Sequence, residues 1–226
     1  MAHDPANLED FIAHSFADKS LLLTALTHSS SNVKAGRNYE RLEFLGDRVL
    51  GLVIAELLYK RFPNETEGDL AKRLAALVQG AFLAEIAKEM DLGAYIVFSD
   101  SEAQAGGADN DNILADVFES VIGALYLDSG FEACQRLIER LWGERLEVMK
   151  TPPAHPKTAL QEWAQSQGLG LPSYTIVEQS GPDHAPFFDV ELSVEGYGPV
   201  VAQGRSRQAA EKQAAADFLQ KLKSGA

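Results

Sequence analysis

Up to about Lys150, apolar residues recur at three- and four-residue spacing. The runs are Leu21–Leu26, Leu42–Leu58, Leu70–Ile86, Ile113–Leu127 and Cys134–Met149, and their period is that of helices burying one face. Turn signals separate them: "RFPNETEGD" (Arg61–Asp69) and "SDSEAQAGGADND" (Ser99–Asp111). The second is polar and Gly-containing, and is expected to be a mobile loop. At "KTPPAHPKT" (Lys150–Thr158) three prolines in five residues stop the helices and mark a semi-stiff linker. The pattern then changes. Thr158–Gln167 reads as an amphipathic helix, Ser173–Glu178, Phe187–Val194 and Gly198–Gly204 as strands, and Arg207–Lys223 as a closing helix. The expectation is an all-α domain over 1–150, a Pro-rich linker over 151–157, and an α+β domain of order α-β-β-β-α over 158–226.

Within the helical half, "YERLEFLGDRVLG" (Tyr39–Gly51) sets Glu40, Glu43 and Asp47 among apolar neighbours. At about 100° per residue, these acids lie within about 60° of one another, on one stripe. In "NILADVFESVIGALYLD" (Asn112–Asp128), Val117, Phe118, Val121, Ile122 and Leu125 fill the arc opposite Asp116 and Glu119. A helix so apolar is buried, and a buried carboxylate costs several kcal/mol unless a cation, a proton or a strong partner compensates it. One such acid pair is usually a solvated face or an ion pair with a neighbour such as Arg41 or Arg48. Two pairs on two apolar helices point to a polar cavity or an ion. Oxygen ligands without His or Cys favour a hard cation such as Mg²⁺ or Mn²⁺ over zinc. Such clusters commonly serve phosphoryl chemistry.

Charge pulls the other way. The 226 residues carry a net −13, whereas nucleic-acid binders are usually basic. Residues 1–150 hold −11 of this and residues 151–226 only −2. No apolar run is long enough to span a bilayer, so no membrane partner is expected. Met1–Phe11 has no basic stretch followed by an apolar one, so a secretory leader is not expected. The single Cys134 rules out an internal disulfide and fits a reducing compartment. The expected location is the cytoplasm.

The motifs carry a resemblance. "ERLEFLGDRVLG" closely resembles the ribonuclease III family motif, and "ILADVFESVIGALYLD" resembles that family's second acidic helix. "LLLTALTHSS" (Leu21–Ser30) and "EGDLAKRLAALV" (Glu67–Val78) are similar to further family segments, in the expected order. The resemblance implies a quartet of Glu43, Asp47, Asp116 and Glu119. Glu43, Asp116 and Glu119 would bind Mg²⁺, with Mn²⁺ able to substitute, while Asp47 and Glu119 would matter most for chemistry. Glu40 and Glu67 match acidic family positions of secondary rank. Phe44 resembles an apolar knob that packs against a partner subunit in a homodimer. His28 also matches a family position, but a satisfied buried histidine is the preferred reading.

The tail resembles a double-stranded RNA-binding domain in "PKTALQEWAQ", "GPDHAPFF" and "GRSRQAAEKQAAADFL". Such a module reads A-form shape through two minor grooves and the phosphates between them. By that resemblance Gln161 and Glu162 meet one minor groove, His184 meets the next, and Ser206, Arg207 and Lys212 face phosphate. Gln208 and Glu211 depart from the basic pattern of that last region, so weaker RNA binding is expected. Asp109 and Asp111 stand where relatives often carry arginines, and read as a solvated loop.

The resemblance therefore implies a Mg²⁺-dependent endoribonuclease acting on double-stranded RNA by a two-metal mechanism. It would leave 5′-phosphate and 3′-hydroxyl ends with a short 3′ overhang. Ribosomal RNA precursors, with some messenger and transfer RNAs, are the expected substrates, and no nucleotide cofactor is implied. The alternative is a dimer that binds double-stranded RNA and regulates it without cutting.

Overall fold

The computed structural model describes residues 4–31, 37–149, 151–153, 156–182 and 186–224. The chain forms two compact units, Met1–Pro153 and Ala154–Ala226. In the first unit the helices are α1 (Pro5–Ile12), α2 (Lys19–Ala25), α3 (Glu40–Arg61), α4 (Glu67–Leu77), α5 (Gly80–Glu89), α6 (Asp100–Gln104) and α7 (Asp111–Val148). Side-chain oxygens satisfy the free N–H groups at several helix starts. Asp4 accepts from Ala6, Asp18 from Ser20, Thr66 from Asp69, and Asn110 from Asn112 and Ile113.

α3 and α7 form the centre. Leu50, Val53, Ile54 and Leu58 share one buried core with Val117, Phe118, Val121, Ile122 and Leu125. Each such side chain contributes about 1.5–3 kcal/mol by leaving water. From Ile113 to Leu125 every residue is buried except Asp116 and Glu119, as the apolar arc of that segment predicts.

Three details differ from the pattern. The single periodic stretch Leu70–Ile86 is two helices, because the chain turns extended at Gln79 (φ −69°, ψ 143°). The carbonyl of Leu77 that this break releases accepts from the buried Trp142 Nε1 at 3.2 Å. The Ser99–Asp111 segment is not an open loop: Ser99 caps α6, and a 3₁₀ turn follows at Gly107–Asp109. The last two periodic runs form one helix, α7, interrupted where Gly130 leaves helical geometry at φ 79°.

Two polar clamps hold the helices to the connecting chain. Arg73 is fully buried on α4. Its Nε and Nη2 donate to the two Glu65 oxygens at 2.7 and 2.6 Å, and Nη1 donates to the Met149 carbonyl at 2.7 Å. Asp128 accepts from the Asp18 and Ala17 amides at 3.0 and 3.2 Å and bonds His14 Nε2 at 2.8 Å. These partners, the Asp18 amide foremost, hold its pKa down at about 2 despite burial.

The second unit runs α8 (Pro156–Ser166), β1 (Ser173–Ser180), β2 (Phe187–Ser193), β3 (Val200–Gly204) and α9 (Arg207–Ser224). Its antiparallel sheet has the order β1-β2-β3, with a register shift between Ile176 and Glu178. Leu160, Leu192, Val200, Ala202, Ala214 and Phe218 make its core. The fold class is thus the expected one, an all-α unit followed by α-β-β-β-α.

Candidate active site and nucleic-acid interface

The site begins with a close helix crossing. A β-carbon at Gly46 of α3 would overlap the carbonyl oxygen of Glu119, and one at Gly123 would overlap that of Leu42. Only glycine at both positions lets the two backbones approach so closely. The crossing brings Glu43, from α3, beside Asp116 and Glu119, which lie one turn apart on α7. One carboxylate oxygen from each lies within 4.8 Å of the other two, and all three side chains are half-buried.

Burial raises all three pKa values, and repulsion from neighbouring acids adds to it at Glu43 and Glu119. Burial, then Glu43 and Asp116, pushes Glu119 up to about 7, with Arg48 opposing. Glu43 is raised by burial, Asp116 and Glu40. Asp116 is raised by burial, against a hydrogen bond from Tyr39 and the nearby His28. The buried Tyr39 is itself pushed up to about 12, first by burial and then by the three surrounding acids. Clustered carboxylates with elevated proton affinity are deficient in positive charge. With no His or Cys in the set, they fit a hard divalent cation.

Other expected residues lie around this trio. Asp47, one turn along α3 from Glu43, is outside the cluster, and its carboxylate pairs with Arg48. Glu40 is exposed but close enough to raise Glu43. Glu67 is exposed in the first turn of α4. His28 is buried, bonded through Nδ1 to Ser30 Oγ at 2.8 Å and stacked on Tyr39 at 5.5 Å. Asp109 is exposed, and Asp111 pairs with Lys88 at 2.5 Å. Phe44 stands 67% exposed, with Leu52 at 60% and Tyr59 at 73%, all within about 80° on one face of α3. Beside Phe44 lies a groove of about 640 Å³ lined by Leu21, Thr24, Leu42, Leu45 and Leu127 together with Asn38, Glu40 and Arg41. Sequence reasoning missed Gly46, Gly123 and Tyr39. A glycine facing a glycine in two apolar helices was the available signal for the first two.

In the second unit Gln161 and Glu162 are exposed on α8, and Ser206, Arg207 and Lys212 are exposed at the start of α9. Ser206 Oγ accepts from the Ala209 amide at 3.2 Å, capping that helix. His184 lies outside the described residues. Glu211 is not a surface acid: it is buried between α8 and α9 and paired with Lys157 and Arg207.

Comparison with known proteins gives two family matches. Residues 18–145 match the model described as ribonuclease-III-like, and residues 156–222 match the double-stranded RNA binding motif. A protein named Ribonuclease 3 from Azorhizobium caulinodans is 51% identical over 220 residues, covering 96% of this chain and 93% of its own. The Ribonuclease 3 of Caulobacter vibrioides is 47% identical over 222 residues, covering 97% and 96%. A solved nuclease domain of ribonuclease III from Campylobacter jejuni, 42% identical, superposes with a TM-score of 0.61 over 64% of this chain and 100% of its own. That structure's description refers to a region involved in dimer formation.

Proposed function

This chain belongs to the ribonuclease III family, and we propose that its acid cluster holds Mg²⁺ for phosphodiester hydrolysis in double-stranded RNA. The enzyme is a double-strand-specific endoribonuclease, with a nuclease domain followed by a double-stranded RNA-binding domain. The observation that carries the proposal is the convergence of Glu43, Asp116 and Glu119 across the α3–α7 crossing.

In this reading the three carboxylates hold a pair of Mg²⁺ ions, with Mn²⁺ able to substitute. When bound, the metal lowers the pKa of an attacking water and offsets charge on the departing 3′ oxygen. Asp47 orders the surroundings of that water from the next turn of α3. A hydrogen bond from Tyr39 favours the ionised form of Asp116. The products carry 5′-phosphate and 3′-hydroxyl ends with a short 3′ overhang. Two copies pair through Phe44 and the adjacent groove, so that each site cuts one strand. That reading is supported by a large apolar side chain left in water beside a largely apolar cleft. Gln161, Glu162, His184, Ser206, Arg207 and Lys212 contact the duplex. Among the described residues no helix is long and apolar enough to cross a membrane. Ribosomal RNA precursors and some messenger and transfer RNAs, met in the cytoplasm, are the proposed substrates.

The test compares cleavage of a perfectly paired RNA in Mg²⁺ by the natural protein and by Glu119→Ala, with binding of both followed in Ca²⁺. The expected result is that the natural protein cuts while the variant only binds. If both bind and neither cuts, the protein is a regulator and the proposal fails.

A further inference from the structure

We infer that Glu211 is a positioning residue for RNA binding: it holds Arg207 by its Nε edge, so that the two terminal guanidinium nitrogens are presented to a duplex phosphate. The inference rests on the proposed role of Arg207 as a phosphate contact.

Glu211 is 6% exposed, and both of its oxygens are engaged. Oε1 accepts from Arg207 Nε at 2.7 Å, and Oε2 accepts from Lys157 Nζ. The bond to Arg207 uses only the Nε edge of a five-donor fork. Arg207 itself is 62% exposed at the first position of α9. There the free N–H groups and the helix dipole also favour phosphate. The second oxygen fixes the carboxylate. Lys157 lies on the first turn of α8, and its ammonium sits 4.7 Å from the centroid of the Tyr174 ring on β1. One carboxylate thereby ties the start of α9 to the start of α8, and through Lys157 to β1. α8 also carries Gln161 and Glu162, so the same pair of bonds sets the spacing between the proposed minor-groove and phosphate contacts. Shape readout of an A-form duplex depends on that spacing. An exposed arginine without this support would lose rotamer freedom on binding and hold phosphate more weakly.

A simple charge argument makes the opposite forecast. If Glu211 only neutralised Lys157 and Arg207, removing it would strengthen RNA binding by raising the local positive charge.

The experiment measures binding of the full chain to a paired RNA in EDTA, over a range of salt concentrations. Glu211→Met, Arg207→Ala and the double variant are compared with the natural protein. Methionine keeps the buried volume and the helix propensity but accepts no such hydrogen bond, and thermal melting confirms that each variant is folded. Glu211→Met and Arg207→Ala are each expected to weaken binding roughly three- to tenfold and to lower the salt slope by about one. The double variant is expected to bind no worse than Arg207→Ala alone. Tighter binding by Glu211→Met overturns the inference in favour of simple neutralisation. Additive losses in the double variant overturn it in favour of a role independent of Arg207. Unchanged binding by Arg207→Ala removes its premise, the phosphate contact. Weakened binding by Arg207→Ala with none in Glu211→Met refutes the positioning alone.

Discussion

Gly46 and Gly123 face each other where α3 crosses α7. A β-carbon on Gly46 would stand 2.9 Å from the Gly123 nitrogen, and one on Gly123 would stand 3.2 Å from the Gly46 nitrogen. This contact sets how near Glu43 comes to Glu119, and therefore whether three acids can share a cation.

Gly46→Ala is expected to cost about 1–3 kcal/mol of stability through overpacking. It should also slow cleavage by about a hundredfold, because a shift near 1 Å misplaces the acids. Gly51, on the same helix, has nothing within 4 Å of its would-be β-carbon. Gly51→Ala is expected to stabilise by about 0.5–1 kcal/mol, as helix propensity alone dictates. Urea unfolding and single-turnover cleavage of both variants check the contrast. Equal behaviour of the two would refute the crossing argument.

Glu119 makes the metal-free protein sensitive to pH. Its folded pKa of about 7 lies above its ordinary 4.5. The folded state therefore binds the proton more tightly, and this contribution to stability is present below about pH 4.5 and lost as pH rises through about 7. In EDTA the Tm of the natural protein should fall, relative to Glu119→Gln, between about pH 5 and 8. Saturating Mg²⁺ should remove the difference in slope, because the cation replaces the proton. The same competition predicts that Mg²⁺ affinity, measured by calorimetry, rises with pH over this range. Parallel Tm curves in EDTA would contradict the assignment.

Asp128 titrates in the opposite sense. Its folded pKa of about 2 lies below the ordinary 3.8, so its contribution is present above about pH 3.8 and lost as pH falls through about 2. Asp128→Asn is expected to cost about 1–3 kcal/mol at neutral pH, because backbone donors of the α1–α2 connection lose a charged acceptor. Guanidinium unfolding of the two proteins should converge in acid. A constant gap down to about pH 2 would show that charge is not what Asp128 supplies.

Phe44→Asp separates folding from assembly. An exposed phenylalanine contributes little to the isolated protomer, so the variant should keep its helical content, and its Tm should fall only by what the lost assembly supplied. A central aromatic knob contributes about 2 kcal/mol or more to an interface. Sedimentation should therefore show the natural protein as a dimer and the variant shifted to monomer. A variant that remains dimeric would place the interface elsewhere.

The periodicity of the chain determined much by itself. The helical half, the proline stop and the α-β-β-β-α tail follow from spacing and turn chemistry, since burial of one face imposes its period on the sequence. The isolation of Asp116 and Glu119 on an apolar helix was legible for the same reason. Spacing left open which acids meet, and only the family resemblance pointed to Glu43 with Asp116 and Glu119. Glu40, Glu43 and Asp47 share one stripe of α3, yet only Glu43 joins the cluster, because the Gly46–Gly123 contact sets where α7 crosses that stripe. Tertiary structure also decided the character of Glu211. As a letter, that residue is an acid in a phosphate-reading helix. In the fold, Lys157 from 54 positions earlier reaches its second oxygen and makes it a buried anchor. Local spacing cannot express such pairings, because a side chain's charge acquires its meaning from what distant segments bring against it.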